Sequence, residues 1–161
     1  MESQAARWIT SINGATKVQQ CGSSNYLGGT QVFPSYGSYI ERTYTKLPTH
    51  HTVSFYIKIL LIDLWMYNDF VSVLINGNEV GFQTTVNNIT SGGSSLCGSA
   101  SYKDLELTLY GYVPHSGTQL TLRITNKRVT SSTSGTILFS NVNLFLNNYG
   151  SAPSYKLRYA Y

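Results

Sequence analysis

Charge is what this chain has least of: 11% of its 161 residues are Asp, Glu, Lys or Arg, and only seven are acidic. So few carboxylates leave little for acid–base hydrolysis, which divides the roles of acid and base between two of them. Asp104 and Glu106 are the closest pair on one strand face, and no second candidate pair exists. Histidine is equally scarce. His50, His51 and His115 come with no Gly-x-Ser-x-Gly elbow, and no phosphate loop or dinucleotide fingerprint occurs. They read as turn or packing residues, no catalytic residue is assigned, and the chain reads as non-enzymatic. Eleven Lys and Arg give a net charge of +4, yet they are scattered, with Lys127-Arg128 the sole cluster. No basic stripe accompanies the aromatics, which argues against nucleic acid and leaves an anionic glycan or cell surface compatible. The longest apolar run, Ile57 to Met66, is broken by Lys58 and Asp63. It falls short of the roughly 20 residues a membrane helix needs, so no membrane insertion is expected. Glu, Lys and Ala are also few, which disfavours helix.

What is present favours strands. The chain is 42% hydrophobic, enough for one domain with one core over residues 1–161, and rich in Tyr, Ser, Thr, Asn and Gly. From Thr52 to Leu61, Val53, Phe55, Ile57, Ile59 and Leu61 alternate with Thr52, Ser54, Tyr56 and Lys58. One face is thus buried and the other wet until Leu60. Phe70 to Ile75 forms a second run, and Asn76-Gly77 is the dipeptide suited to a tight hairpin before Asn78 to Phe82 returns. Further strands are expected at Leu105–Tyr110, with Gly111 a bend or bulge, and at Leu120–Thr125. Ile137–Phe139 and Val142–Leu146 read as two pieces separated by Ser140-Asn141. Shorter candidates are Trp8–Thr10, Val18, Gln31–Phe33 and Tyr39–Tyr44. Eight to ten short strands without helical period predict an all-β antiparallel β-sandwich, a jelly roll, with a closed β-barrel as the alternative.

Cys21 and Cys97 are the only cysteines, each followed by Gly in a polar loop, with no CxxC spacing and no nearby His to suggest zinc. A disulfide is the economical reading, and two unrelated thiols in a cytosolic protein are the other. The bridge would stabilise the fold by ~4–5 kcal/mol on the chain-entropy account. The first eight residues lack a charged and then apolar leader, which fits a start after a removed signal or a cytosolic start. The cysteines favour the first, hence an extracellular or cell-surface location. Asn88-Ile89-Thr90 is a glycosylation sequon.

The pattern Cys21-Gly22, Leu27-Gly28-Gly29, Phe33, Leu47-Pro48-Thr49-His50, Ile62-Asp63-Leu64-Trp65, Cys97-Gly98 and Pro114-His115 resembles a domain of secreted and surface proteins in ciliates and other protists. The resemblance covers roughly residues 20 to 146. It implies a galactose-binding-like jelly roll in an extracellular or adhesive protein. In that family the segment beginning Ile-Asp reads Ile-Asp-Ser-Trp-Asp-Asn-Glu, whose clustered carboxylates imply a calcium site. Asp63 and Trp65 match. Met66 replaces the second Asp, Tyr67 and Asn68 follow, and Asp69 is displaced by one place. The family's acidic Asp-Glu-Ser-Trp-Gly near the last strands is replaced by Thr133-Ser134-Gly135 and apolar residues. With so few oxygens calcium should bind weakly or not at all, and no metal site or other cofactor is assigned.

Two functional readings remain. Asp63, Trp65, Met66, Tyr67, Asn68 and Asp69, with His115, form a candidate ligand or contact loop. Rings there would stack on a sugar while the polar groups bond its hydroxyls, or Trp65 turns inward and Met66 and Tyr67 meet a protein partner. Thirteen tyrosines exceed what a core needs. At the C-terminus Tyr155, Leu157, Tyr159 and Tyr161 alternate with Lys156 and Arg158. That strand either docks on its own sandwich or pairs with an edge of another subunit, residues 147–161 then being exchanged. The main reading is a non-catalytic structural or adhesion module, a self-assembling homo-oligomeric surface or filament subunit. The alternative is a lectin-like carbohydrate-binding module using the Asp63–Asp69 loop, with or without calcium.

Overall fold

The computed structural model describes residues 5–84, 94–129, 135–148 and 155–159, with backbone alone for 81–84 and 155–159. Among these residues eleven strands follow in order: β1 (Ile9–Thr10), β2 (Val18–Cys21), β3 (Ser24–Gly28), β4 (Tyr39–Thr45), β5 (Thr52–Ile62) and β6 (Phe70–Ile75). Then come β7 (Asn78–Thr84), β8 (Leu105–Pro114), β9 (Gln119–Asn126), β10 (Thr136–Asn147) and β11 (Tyr155–Tyr159). They form two antiparallel sheets, one in the order β1-β4-β9-β6-β7 and the other in the order β2-β3-β10-β5-β8, with β11 also on β10. The pairs β3–β10, β4–β9, β5–β8 and β6–β7 nest inside one another like a long hairpin rolled up, alternating between sheets. That nesting is a jelly roll, and both sheets keep open edges, so the molecule is a sandwich and not a closed barrel.

The core lies between the sheets. β5 supplies Val53, Phe55, Ile57, Ile59 and Leu61, facing Val71 and Val73 of β6 and Leu120, Leu122 and Ile124 of β9 in one buried cluster. Trp8 closes part of it, meeting Phe139 edge-on with centroids 5.5 Å apart. The hairpin after Ile75 is as the sequence predicts: Asn76 and Gly77 have φ of 50° and 83°, and Ile75 pairs with Asn78.

Three local expectations are corrected. Residues 136–147 make one strand rather than two, because a bulge between Ser140 and Asn143, with Asn141 at φ 50°, absorbs the polar break and returns Val142 to the buried face. Gly111 is no bend. It pairs with Phe55 in an unbroken β5–β8 ladder, and a Cβ there would come within 2.8 Å of the Phe55 ring. Gln31–Phe33 is no strand, since the amides of Val32 and Phe33 both donate to the Gly29 carbonyl.

The second sheet is apolar on parts of both faces. Outward positions of β5 run Ser54, Tyr56, Lys58, Leu60, Ile62. At the far end, Leu60, Ile62 and Leu138 are buried with Cys21, and Tyr26 and Cys97 pack against them. The Cys21–Cys97 disulfide, with Cα atoms 5.2 Å apart, holds the covering segment there. The Cys21→Ser/Cys97→Ser double variant should lose about 2–5 kcal/mol of unfolding free energy in a denaturant titration. An unchanged midpoint would mean that the bridge holds nothing the sheet does not hold already.

Candidate functional site

The segment from Asp63 to Asp69 joins β5 to β6, and its acids turn inward. Asp63 sits at φ 59°, 4% exposed, and its Oδ1 accepts the Ser99 amide at 2.7 Å. Its own amide donates to Asp104 Oδ1 at 3.1 Å, while Asp104 Oδ2 accepts the amides of Leu96 and Cys97 at 2.7 and 2.9 Å. Gly98 is required beside it, because a Cβ there would lie 2.6 Å from the Asp63 carboxylate. Asp69, fully buried, accepts the amides of Met66 and Val129, both at 2.8 Å. Trp65 takes the inward orientation of the two open to it, donating from Nε1 to the Ile62 carbonyl at 3.1 Å. The Arg128 guanidinium lies 6.0 Å from its ring centroid and donates to the Gly135 carbonyl.

Asp63 and Asp69 therefore serve loop amides rather than an external ligand. Among the described residues no three His, Cys, Asp or Glu side chains gather as metal ligands. What the segment presents outward is Met66, Tyr67 at 80% exposure, and Asn68. Burial raises the Asp63 carboxyl above its ordinary value and Asp104 adds to this, while the Ser99 hydrogen bond and Arg128 oppose it. Arg128 is lowered by burial, against which Asp69 and Asp63 raise it.

His115 does not join this segment. It follows β8 at the opposite end of β5, some 30 Å away at the ~3.3 Å rise of a strand. There its Nδ1 lies 2.7 Å from His50 Nε2. The C-terminal strand pairs with β10 of its own chain, Leu157 opposite Leu144 and Tyr155 opposite Leu146. Tyr161 and Asn88 lie outside the described residues.

A different aromatic group, which the sequence reading leaves unassembled, occupies the outer face of the second sheet. Tyr56 of β5 pairs directly with Tyr110 of β8, and Ser54 with Tyr112. On the other side Tyr56 faces Asn143 and Ser54 faces Phe145 of β10. Tyr56, Tyr110 and Tyr112 are 41%, 78% and 76% exposed. They and Phe145 line an open depression of about 640 Å³. Lys58 and Glu106, an ion pair at 2.7 Å, separate these rings from the covered end of the same face. The signal was strand parity: Tyr56, Tyr110 and Tyr112 all occupy outward positions, but only the β5–β8 register makes them neighbours.

No protein-family model and no curated protein matches the chain. Solved structures do. A family 35 carbohydrate-binding module from Clostridium thermocellum is 14% identical, with 88% of this chain and 94% of that one covered at a TM-score of 0.48. The C-terminal CBM6 of LamC from Zobellia galactanivorans is 13% identical over 85% and 98%, at 0.45. The C-terminal domain of EclA, a sugar-binding protein, is 14% identical over 86% and 76%, at 0.44. These are likenesses of fold alone. The protist affiliation implied by the sequence resemblance finds no support among them.

Because the fold raises the Asp63 carboxyl above 3.8, the folded state holds that proton to higher pH than the unfolded chain. The stability this contributes is present in acid and is lost as pH rises through the folded value. Asp63→Asn mimics the protonated form, suits the positive φ and keeps an acceptor for Ser99. At pH 7 it should match or exceed wild-type stability, whereas Asp63→Ala should lose about 1–3 kcal/mol by leaving a loop amide unpaired. Equal losses in both, measured by chemical denaturation, would show that the charge itself holds the loop.

Proposed function

We propose that the protein is a non-catalytic, extracellular carbohydrate-binding module whose glycan lies across Tyr56, Tyr110 and Tyr112. The exposed tyrosine cluster on paired strands carries this reading. Rings fixed on a rigid sheet offer flat apolar faces to the C–H surface of a sugar at little entropic cost, and their hydroxyls remain available for hydrogen bonds. Ser54 and Asn143, beside Tyr56 and Tyr112 in the register, add the polar groups that orient a ligand. Lys58 is neutralised by Glu106 at the border, so the platform favours a neutral glycan over an anionic one. The Met66–Asn68 tip is the weaker candidate, with one exposed ring on a loop whose acids are engaged inside. The disulfide fits an oxidising compartment. Self-assembly through the C-terminal strand draws no support from β11, which lies on its own β10.

Binding to a panel of neutral polysaccharides, followed by calorimetry on the best ligand, tests the reading. Tyr110→Ala and Tyr112→Ala should each weaken binding about tenfold, the equivalent of ~1.4 kcal/mol. Tyr67→Ala should leave it unchanged. Loss of binding with Tyr67→Ala and not with Tyr110→Ala would move the site to the loop. Absence of binding to any glycan would remove the proposal.

A further inference from the structure

The loop before β5 and the turn after β8 meet through two imidazoles. His50, 1% exposed, places Nδ1 2.6 Å from the Pro48 carbonyl and Nε2 2.7 Å from Nδ1 of His115, whose Nε2 lies 3.1 Å from the Gln119 carbonyl. The ring planes differ by 16° and the centroids are 5.0 Å apart. That separation is taken up by the two ring radii and the N···N gap, so the rings meet edge to edge and in line, not face to face. Both outer nitrogens face carbonyl oxygens, which accept only, so each must carry a hydrogen. If both rings are neutral, those hydrogens are the only two available, and the facing nitrogens would then oppose lone pair to lone pair at 2.7 Å. Three contacts require three N–H hydrogens on two rings.

We infer that His50 and His115 bind one proton between them, as an imidazole–imidazolium pair that clasps this end of the sandwich. Few charged groups stand near the pair among the described residues. The loop adds Lys46 and His51, the turn from Pro114 to Gln119 adds no other titratable side chain, and the adjoining end of β10 carries Asn147 and Asn148. No carboxylate stands among these residues to hold a second positive charge. His115 is pushed below its ordinary value, by burial first and by the His50 charge second, against the Gln119 carbonyl. The three contacts call for one added proton, and burial together with the charge already present opposes a second. Raising the pH removes the first and breaks the ring-to-ring bond. Lowering it forces in the second, and the two cations part.

The clasp continues the β5–β8 ladder, since the His115 amide donates to the His51 carbonyl at 3.0 Å just beyond the Thr52–Pro114 pair. That ladder carries Tyr112. Resting on the carbohydrate reading above, opening of the clasp in acid should loosen the platform and weaken glycan binding several-fold between pH 7 and pH 5.

Long-range proton–nitrogen NMR of the histidine side chains in the full chain, titrated from pH 4.5 to 9, tests the proton directly. The expected result is His50 carrying hydrogen on Nδ1, His115 on Nε2, and a shared downfield proton lost in one step and joined by a second in another. His115→Ala should leave His50 with a single step, and the wild-type titration decides alone if that variant does not fold. Two independent, ordinary titrations, or a neutral pair with His50 protonated on Nε2, would overturn the inference. Failure to bind any glycan at either pH would count against the proposed function and leave the proton result standing.

Discussion

The structure depends on how one sheet with two partly apolar faces is covered. Its inner face is buried against the first sheet. Among the described residues its outer face meets no second sheet, and they bury one end of it. There the Cys21–Cys97 bridge pins a segment over Leu60, Ile62 and Leu138. Asp63 and Asp104 fix the backbone of that segment by accepting its amides, and Gly98 gives the carboxylate room. Past the Lys58–Glu106 pair the same face shows Tyr56, Tyr110 and Tyr112 to solvent. The exposed aromatic end of that face is the surface on which the proposed glycan would lie.

The sequence showed the architecture better than the site. Alternation along Thr52–Leu61 and Leu120–Thr125 and the Asn76-Gly77 turn define strands by local rules, and those strands form as read. Ser24–Gly28 escaped notice because its polar residues and terminal glycine look like loop, whereas pairing with β2 and β10 makes it strand. The bulge in β10 hid the unity of two strand pieces in the same way. Cys21 and Cys97 were readable because two cysteines allow a single bridge.

The site was obscured by a different cause. Asp63, Trp65 and Asp69 have the composition of a binding loop, but buried carboxylates at a loop serve amides as readily as ligands. Only burial separates the two cases. Conversely, Tyr56 lies some fifty residues from Tyr110 and Tyr112, and no spacing rule joins them until the register is known. His50 and His115 meet for the same reason, through the pairing of β5 with β8, which their separate short motifs do not foretell.

Whether the bare end of this face takes a carbohydrate is decided by mapping the contact on the folded protein. Backbone amide shifts in a two-dimensional NMR titration with a bound neutral oligosaccharide should move at Ser54–Tyr56, Tyr110–Tyr112 and Asn143–Phe145. The Met66–Asp69 segment should stay still. Shifts confined to that segment, with the β5–β8–β10 face unmoved, would contradict the account.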